Sequence, residues 1–249
     1  MKKYIIASII LSLTALAACT HETAVLQEYK TYEITSVIHS LDIQINAADF
    51  IIEQRDGFSV ESNLKNLSVS EKDGVLRVAD KKKHIGNYHG AKLKLYIPNN
   101  IVFKDAIIKT GAGKLTAKSL SANTIELKTG TGKVEFGCLD VNNNINIKGG
   151  AGEININSGT LNNLSMNLGV GKLNMTAALL GESDLKFGVG ESNLTLIGSK
   201  NDYQFDIKNS IGKITIDEKD SSTFGSSSNS QNYVKIKGGV GETDIAFHE

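Results

Sequence analysis

Three observations predict an all-β chain wound as a parallel β-solenoid. They are a Gly-x-Gly element at near-constant spacing, apolar alternation on both sides of it, and a single proline, Pro98, in 249 residues. The element stands at Gly111/Gly113, Gly130/Gly132, Gly150/Gly152, Gly169/Gly171, Gly188/Gly190 and Gly239/Gly241, with a degenerate copy at Ser210/Gly212. Its second glycines are 19, 20, 19, 19, 22 and 29 residues apart. A short fixed period means stacked structural units.

Each unit reads as strand, corner, strand. Ile125 and Leu127, Ile145 and Ile147, and Leu164 and Met166 alternate before the glycines; Val134 and Phe136, Ile154 and Ile156, and Leu173 and Met175 alternate after them. Period two with branched residues is the mark of a strand. The alternation changes parity at the glycines, so Gly113, Gly132, Gly152, Gly171, Gly190, Gly212 and Gly241 are expected to form corners that other residues accept poorly. The residue between the glycines (Ala112, Thr131, Ala151, Val170, Val189, Ile211 or Val240) is expected to keep the inward phase. Successive turns of 19 to 20 residues would stack about 4.8 Å apart.

Ahead of the coil lies a segment of a different kind. Lys2 and Lys3 precede an apolar run from Ile5 to Leu16, which is too short to span a bilayer as a folded helix and ends in small residues. Residues 1–18 therefore read as an export signal. The sequence Leu16-Ala17-Ala18-Cys19 resembles a bacterial lipobox, which implies cleavage before Cys19 and a lipid on its thiol. Residues 19–30 would be a tether, and the membrane a partner through that lipid. With Cys19 lipidated, Cys138 has no disulfide partner, and its apolar surroundings suit a buried small hydrophobe.

Residues 31–249 are read as one solenoid domain. Residues 31–100 form less regular first turns and a cap, with turn dipeptides at Asp56-Gly57 and Asp73-Gly74. Residues 101–249 carry the glycine corners. The Ser-rich stretch 219–232 is read as an extruded loop that accounts for the 29-residue spacing.

Composition excludes several functions. The formal charge is zero, arginine occurs only at Arg55 and Arg77, and there are fifteen Tyr and Phe and no Trp. Neither a duplex-binding face nor a stacking surface for single strands is expected, hence no nucleic-acid partner. The Gly-Lys pairs lack the Ser or Thr and the helix of a phosphate loop. Asp244 falls one position late for a stacked calcium repeat, and His84 and His89 lack zinc-site spacing. No cofactor, metal site or catalytic residue is expected.

One feature invites a binding role. Two residues before each first glycine stand Lys109, Lys128, Lys148, Asn167, Lys186, Lys208 and Lys237, which stacking would align outward as a basic stripe. Glu126, Asp184 and Asp206 lie two positions earlier and compensate part of it. The plain reading is a soluble face that discourages edge association; the functional one is a groove for an anionic envelope polymer. A second file, Lys114, Lys133, Glu153, Lys172, Glu191, Lys213 and Glu242, partly alternates in sign, and Asn155, Asn174 and Asn193 form an amide ladder.

The lipobox, the segment YIPNN, KTGAGKL at 109–115, the repeated GVGK and GVGE, and the ending KIKGGVGETDI resemble a bacterial family of adhesin-like envelope proteins of unknown function, which includes the LiaG-like proteins. The resemblance spans roughly residues 30–247. It implies a right-handed parallel β-helix and a non-enzymatic, lipid-anchored, extracytoplasmic protein, on the outer membrane if the cell has two. It brings no catalytic residues with it. An envelope-stress accessory that binds a membrane regulatory protein is the alternative. A polysaccharide-modifying β-helix enzyme comes third, disfavoured because residues 101–249 contain no arginine.

Overall fold

The computed structural model describes residues 26–80, 89–208, 211–220 and 230–248. The leader, Cys19, His84, Ser210 and most of the Ser-rich stretch lie outside the described residues. The strands are β1 (Leu26–Ile34), β2 (Ser40–Gln54), β3 (Phe58–Leu64), β4 (Leu67–Lys72), β5 (Val75–Asp80), β6 (Lys92–Ile97) and β7 (Phe103–Ile156). They continue with β8 (Gly159–Asn162), β9 (Leu164–Leu180), β10 (Glu182–Ile197), β11 (Tyr203–Lys208), β12 (Ile211–Ile216), β13 (Lys219–Asp220), β14 (Asn232–Lys237) and β15 (Val240–His248). All belong to one sheet.

The middle windings are parallel and in register. Ile147 pairs with Met166 and Met166 with Leu185, each offset by one repeat, and all three are buried. Each winding buries three short apolar runs. In one they are Val134/Phe136, Leu139/Val141 and Ile145/Ile147; in the next, Ile154/Ile156, Leu161 and Leu164/Met166. Equivalent residues stack into a single core, so no winding could bury its apolar face alone. β7 runs unbroken for 54 residues because the backbone stays extended and bonded through its glycine corners.

The corner demands glycine for two reasons. A Cβ on Gly171, whose φ is +145°, would fall inside the carbonyl oxygen of Gly152 in the preceding winding. A Cβ on its neighbour Gly169 would meet the Gly150 carbonyl in the same way, without any unusual φ. At these corners the Cβ direction lies along the stack, so only a residue without one lets the backbones approach.

The two ends depart from chain order. β2 pairs with β7 on one side. On its other side lie β5, against its first arm, and β6, against its second. The later strands thus form the outer winding. That winding is capped by antiparallel partners: β4 on β5, β3 on β6, and β1 on β3. Asp73 and Gly74, both at positive φ, join β4 to β5 in a two-residue hairpin.

The same thing happens at the far end. β14 and β15 pair with β10, and β11 and β12 pair onto their outer side. The C-terminal winding is therefore inserted next to β10 and the degenerate copy is outermost. The segment read as a tether carries β1 from Leu26, paired to β3, and the segment read as a loop carries β13 and the start of β14. Tyr203 helps seal this end. Its buried hydroxyl donates to the Ile197 carbonyl at 2.6 Å, and its ring lies 5.9 Å from Phe247 and 6.2 Å from Phe205.

Candidate functional site: a striped corner

The expected lysines do form a file. They sit in the outward phase between buried Leu127-type residues and the corner, which exposes Lys128, Lys148, Lys186, Lys208 and Lys237. Adjacent pairings run Lys148–Asn167, Asn167–Lys186, Lys186–Lys237 and Lys237–Lys208. Three lysines thus lie on three consecutive strands, about 4.8 Å apart.

Compensation is uneven. Lys128 reaches Glu126 at 2.5 Å and Lys186 reaches Asp184 at 2.7 Å, each along its own strand. Asp206 instead accepts from the Tyr233 hydroxyl at 3.3 Å. Among the described residues, no carboxylate lies within ion-pair distance of Lys148, Lys208 or Lys237. The Lys128 hydrogen bond, with the charges of Lys128, Lys109 and Lys148 behind it, holds the Glu126 carboxyl below its ordinary value against the opposing effect of burial. Lysines of the neighbouring windings are thus felt at Glu126, as a stacked file requires.

The second charged file is largely self-neutralised. Lys133 pairs with Glu153 at 3.3 Å and Lys172 with Glu191 at 3.1 Å. Hydrogen bonds from Asn193 and then Lys172 lower the Glu191 carboxyl. The amide ladder beside it is also present: Asn174 donates to Asn155 at 2.7 Å and Asn193 to Asn174 at 3.0 Å.

The residue between the glycines does not point inward. The inward run ends one position before the first glycine, at Thr129, Gly149, Leu168 and Phe187, which wall a recess of about 30 Å³ behind the corner. That is space for roughly one water and not for an organic ligand. The intervening residue projects from the outside of the bend, leaving Val170 57%, Val189 49%, Val240 47% and Ile211 71% exposed. These four are mutual register partners, forming a continuous apolar ridge beside the lysine file. Two-residue alternation does not carry through the corner, which interrupts it. The available signal was the size of these residues, which grows from Ala112 and Thr131 to Val and Ile with no inward space to fill.

Other expected sites resolve simply. Cys138 is partly buried and donates to Asp140 at 3.3 Å, and burial, with Asp140 adding, pushes its thiol up. An open depression of about 670 Å³ near the last windings is bordered by Asn193, Thr195, Lys213, Thr215, Asp217 and Asp244. Among the described residues no group of His, Cys, Asp and Glu is arranged to hold a metal, and no helix is long and apolar enough to cross a membrane.

Among curated proteins, no sequence matches the chain. Several solved structures resemble it at low identity. One is described as a "putative adhesin" from Bacteroides fragilis, with 12% identity, TM-score 0.41, and 90% of this chain and 99% of that chain covered. Another "putative adhesin", from Parabacteroides merdae, shows 11% identity and TM-score 0.41 over 89% of this chain and 95% of that one. A "putative cell adhesion protein" from Clostridium sporogenes shows 13% identity and TM-score 0.37 over 89% and 99%. The Toastrack DUF4097 family model matches residues 34–246, and the chain belongs to that family.

Proposed function

We propose that this protein is a non-enzymatic envelope component, lipid-anchored through Cys19, that binds an anionic polymer along its lysine file. In this reading the coil is right-handed, the mature chain sits outside the cytoplasmic membrane, and it holds its ligand by charge and length of contact. The observation that carries the reading is the consecutive placement of Lys186, Lys237 and Lys208, with Lys237 and Lys208 lacking a carboxylate partner among the described residues. A row of ammonium groups at about 4.8 Å matches a repeating polyanion better than a single small ligand. Lysine binds phosphate as a point charge without fixed geometry, which suits a flexible polymer.

The test is retention of the soluble chain, residues 20–249, on immobilised poly(glycerol phosphate). Lys148, Lys208 and Lys237 changed together to Gln should weaken retention roughly 10- to 100-fold at low salt, since each lysine near an anionic surface contributes about 1 kcal/mol. Undiminished retention would leave the file without this role.

A further inference from the structure

We propose that the ridge of Val170, Val189, Val240 and Ile211 is a membrane-contact edge that settles the coil sideways onto an anionic lipid surface. This goes beyond polymer binding, because it adds the apolar ridge and a different ligand, while the flanking lysines are shared with the reading above.

The ridge is not required by the fold. The same corner position holds Ala151 one winding from Val170 and Thr131 two windings from it, both exposed, and those corners close with the same glycine pairing. The enlargement to Val and Ile at the four adjacent positions therefore adds apolar surface where water is, about 14 Å long at the strand spacing. Aliphatic side chains exposed in an unbroken row are costly unless something covers them.

The shape and chemistry select the occupant. The ridge is one residue wide and stands on the outside of a bend, so it offers no concave area of the size a stable protein interface buries. It carries no Trp, Tyr or Arg to act as an anchor for a protein partner. On one flank run Lys148, Lys186, Lys237 and Lys208, the last two on the same windings as Val240 and Ile211. On the other flank Lys172 pairs with Glu191 and Lys213 lies beside Glu242, which leaves that side near neutral. A narrow aliphatic edge with a lysine row along one side is what an anionic bilayer interface accepts: the apolar groups enter the headgroup boundary and the ammonium groups meet the phosphates. The chain's N-terminal portion adds to this. Six residues, 20–25, lie between Cys19 and the first strand at Leu26, a span of at most about 25 Å when extended. A lipid on Cys19 would hold the coil close to the surface, where weak contact suffices.

The experiment exploits the absence of tryptophan from the sequence. Val189→Trp should show a blue-shifted emission on adding phosphatidylglycerol vesicles, reduced by salt and absent with phosphatidylcholine vesicles. Asn143→Trp, at an exposed position on another corner, should show none. In the soluble chain, residues 20–249, Val170→Ser, Val189→Ser, Val240→Ser and Ile211→Ser together should lower vesicle sedimentation roughly five-fold or more with the melting temperature unchanged. No shift from Val189→Trp, or sedimentation equal to that of the unchanged chain, would overturn the proposal. So would a dimer in sedimentation velocity that the four Ser substitutions abolish, since the ridge would then join two copies. The lysine variant should weaken both polymer retention and vesicle binding, whereas the four Ser substitutions should lower vesicle sedimentation and leave polymer retention unchanged, so the two readings fail separately.

Discussion

The middle windings and the two ends of this molecule solve the same problem by different means. Between Phe103 and Ile197 every winding lies on the one before it, and corner glycines let backbone meet backbone. At the ends a strand has no next winding to bury it, and an exposed parallel edge invites association. There the chain doubles back. An antiparallel cap covers the N-terminal side, and a re-entrant winding with an aromatic seal finishes the C-terminal side. Repetition builds the coil, while irregularity closes it.

The contrast is sharpest at glycine. Gly132→Val drives a Cβ into the Gly113 carbonyl at a φ of +131°, and should cost about 3 kcal/mol or more. For a domain of this size that lowers the melting temperature by roughly 6 °C or more. Gly57, in the N-terminal region, has φ +90° but nothing within 4 Å of a Cβ, so Gly57→Ala should cost only about 1 kcal/mol. Equal thermal shifts for the two variants would show that stacking against the neighbouring backbone is not what the middle corners need.

A smaller effect separates the C-terminal seal from the amide ladder. Tyr203→Phe keeps the ring but leaves the Ile197 carbonyl and the Leu179 N–H without a partner, and should cost about 1–2 kcal/mol in chemical denaturation. Asn174→Ala interrupts one rung of a half-exposed ladder and should cost about 1 kcal/mol or less. A larger loss at Asn174 than at Tyr203 would place more of the stability in the middle than the sealed end suggests.

The sequence is readable where one physical rule repeats. The Gly-x-Gly spacing and the alternation around Ile147, Met166 and Leu185 located the corners and the core because each winding packs only on its neighbours. The lysine file followed from the same register. The position of β14 and β15 was not readable, because Gly190 can stack on Gly212 or Gly241 with equal local geometry. The choice is made by pairing between segments distant in the chain. The outward turn of Val170 and its partners is not legible from alternation, which holds within a strand but not around a bend. The first part of β1, residues 26–30, reads as tether because the strand's residues, mostly exposed in the structure, show little inward periodicity.

The order of windings is open to a direct chemical test through cysteine pairs placed between the glycines, in a chain with Cys138→Ser. Val189 and Val240 are register partners on neighbouring strands, within reach of a disulfide, whereas Val189 and Ile211 are separated by the intervening strand and stand about 10 Å apart. Oxidation should cross-link the Val189→Cys/Val240→Cys variant and leave the Val189→Cys/Ile211→Cys variant as free thiols. The reverse pattern would mean that the windings stack in simple chain order, and the re-entrant end described here would be wrong.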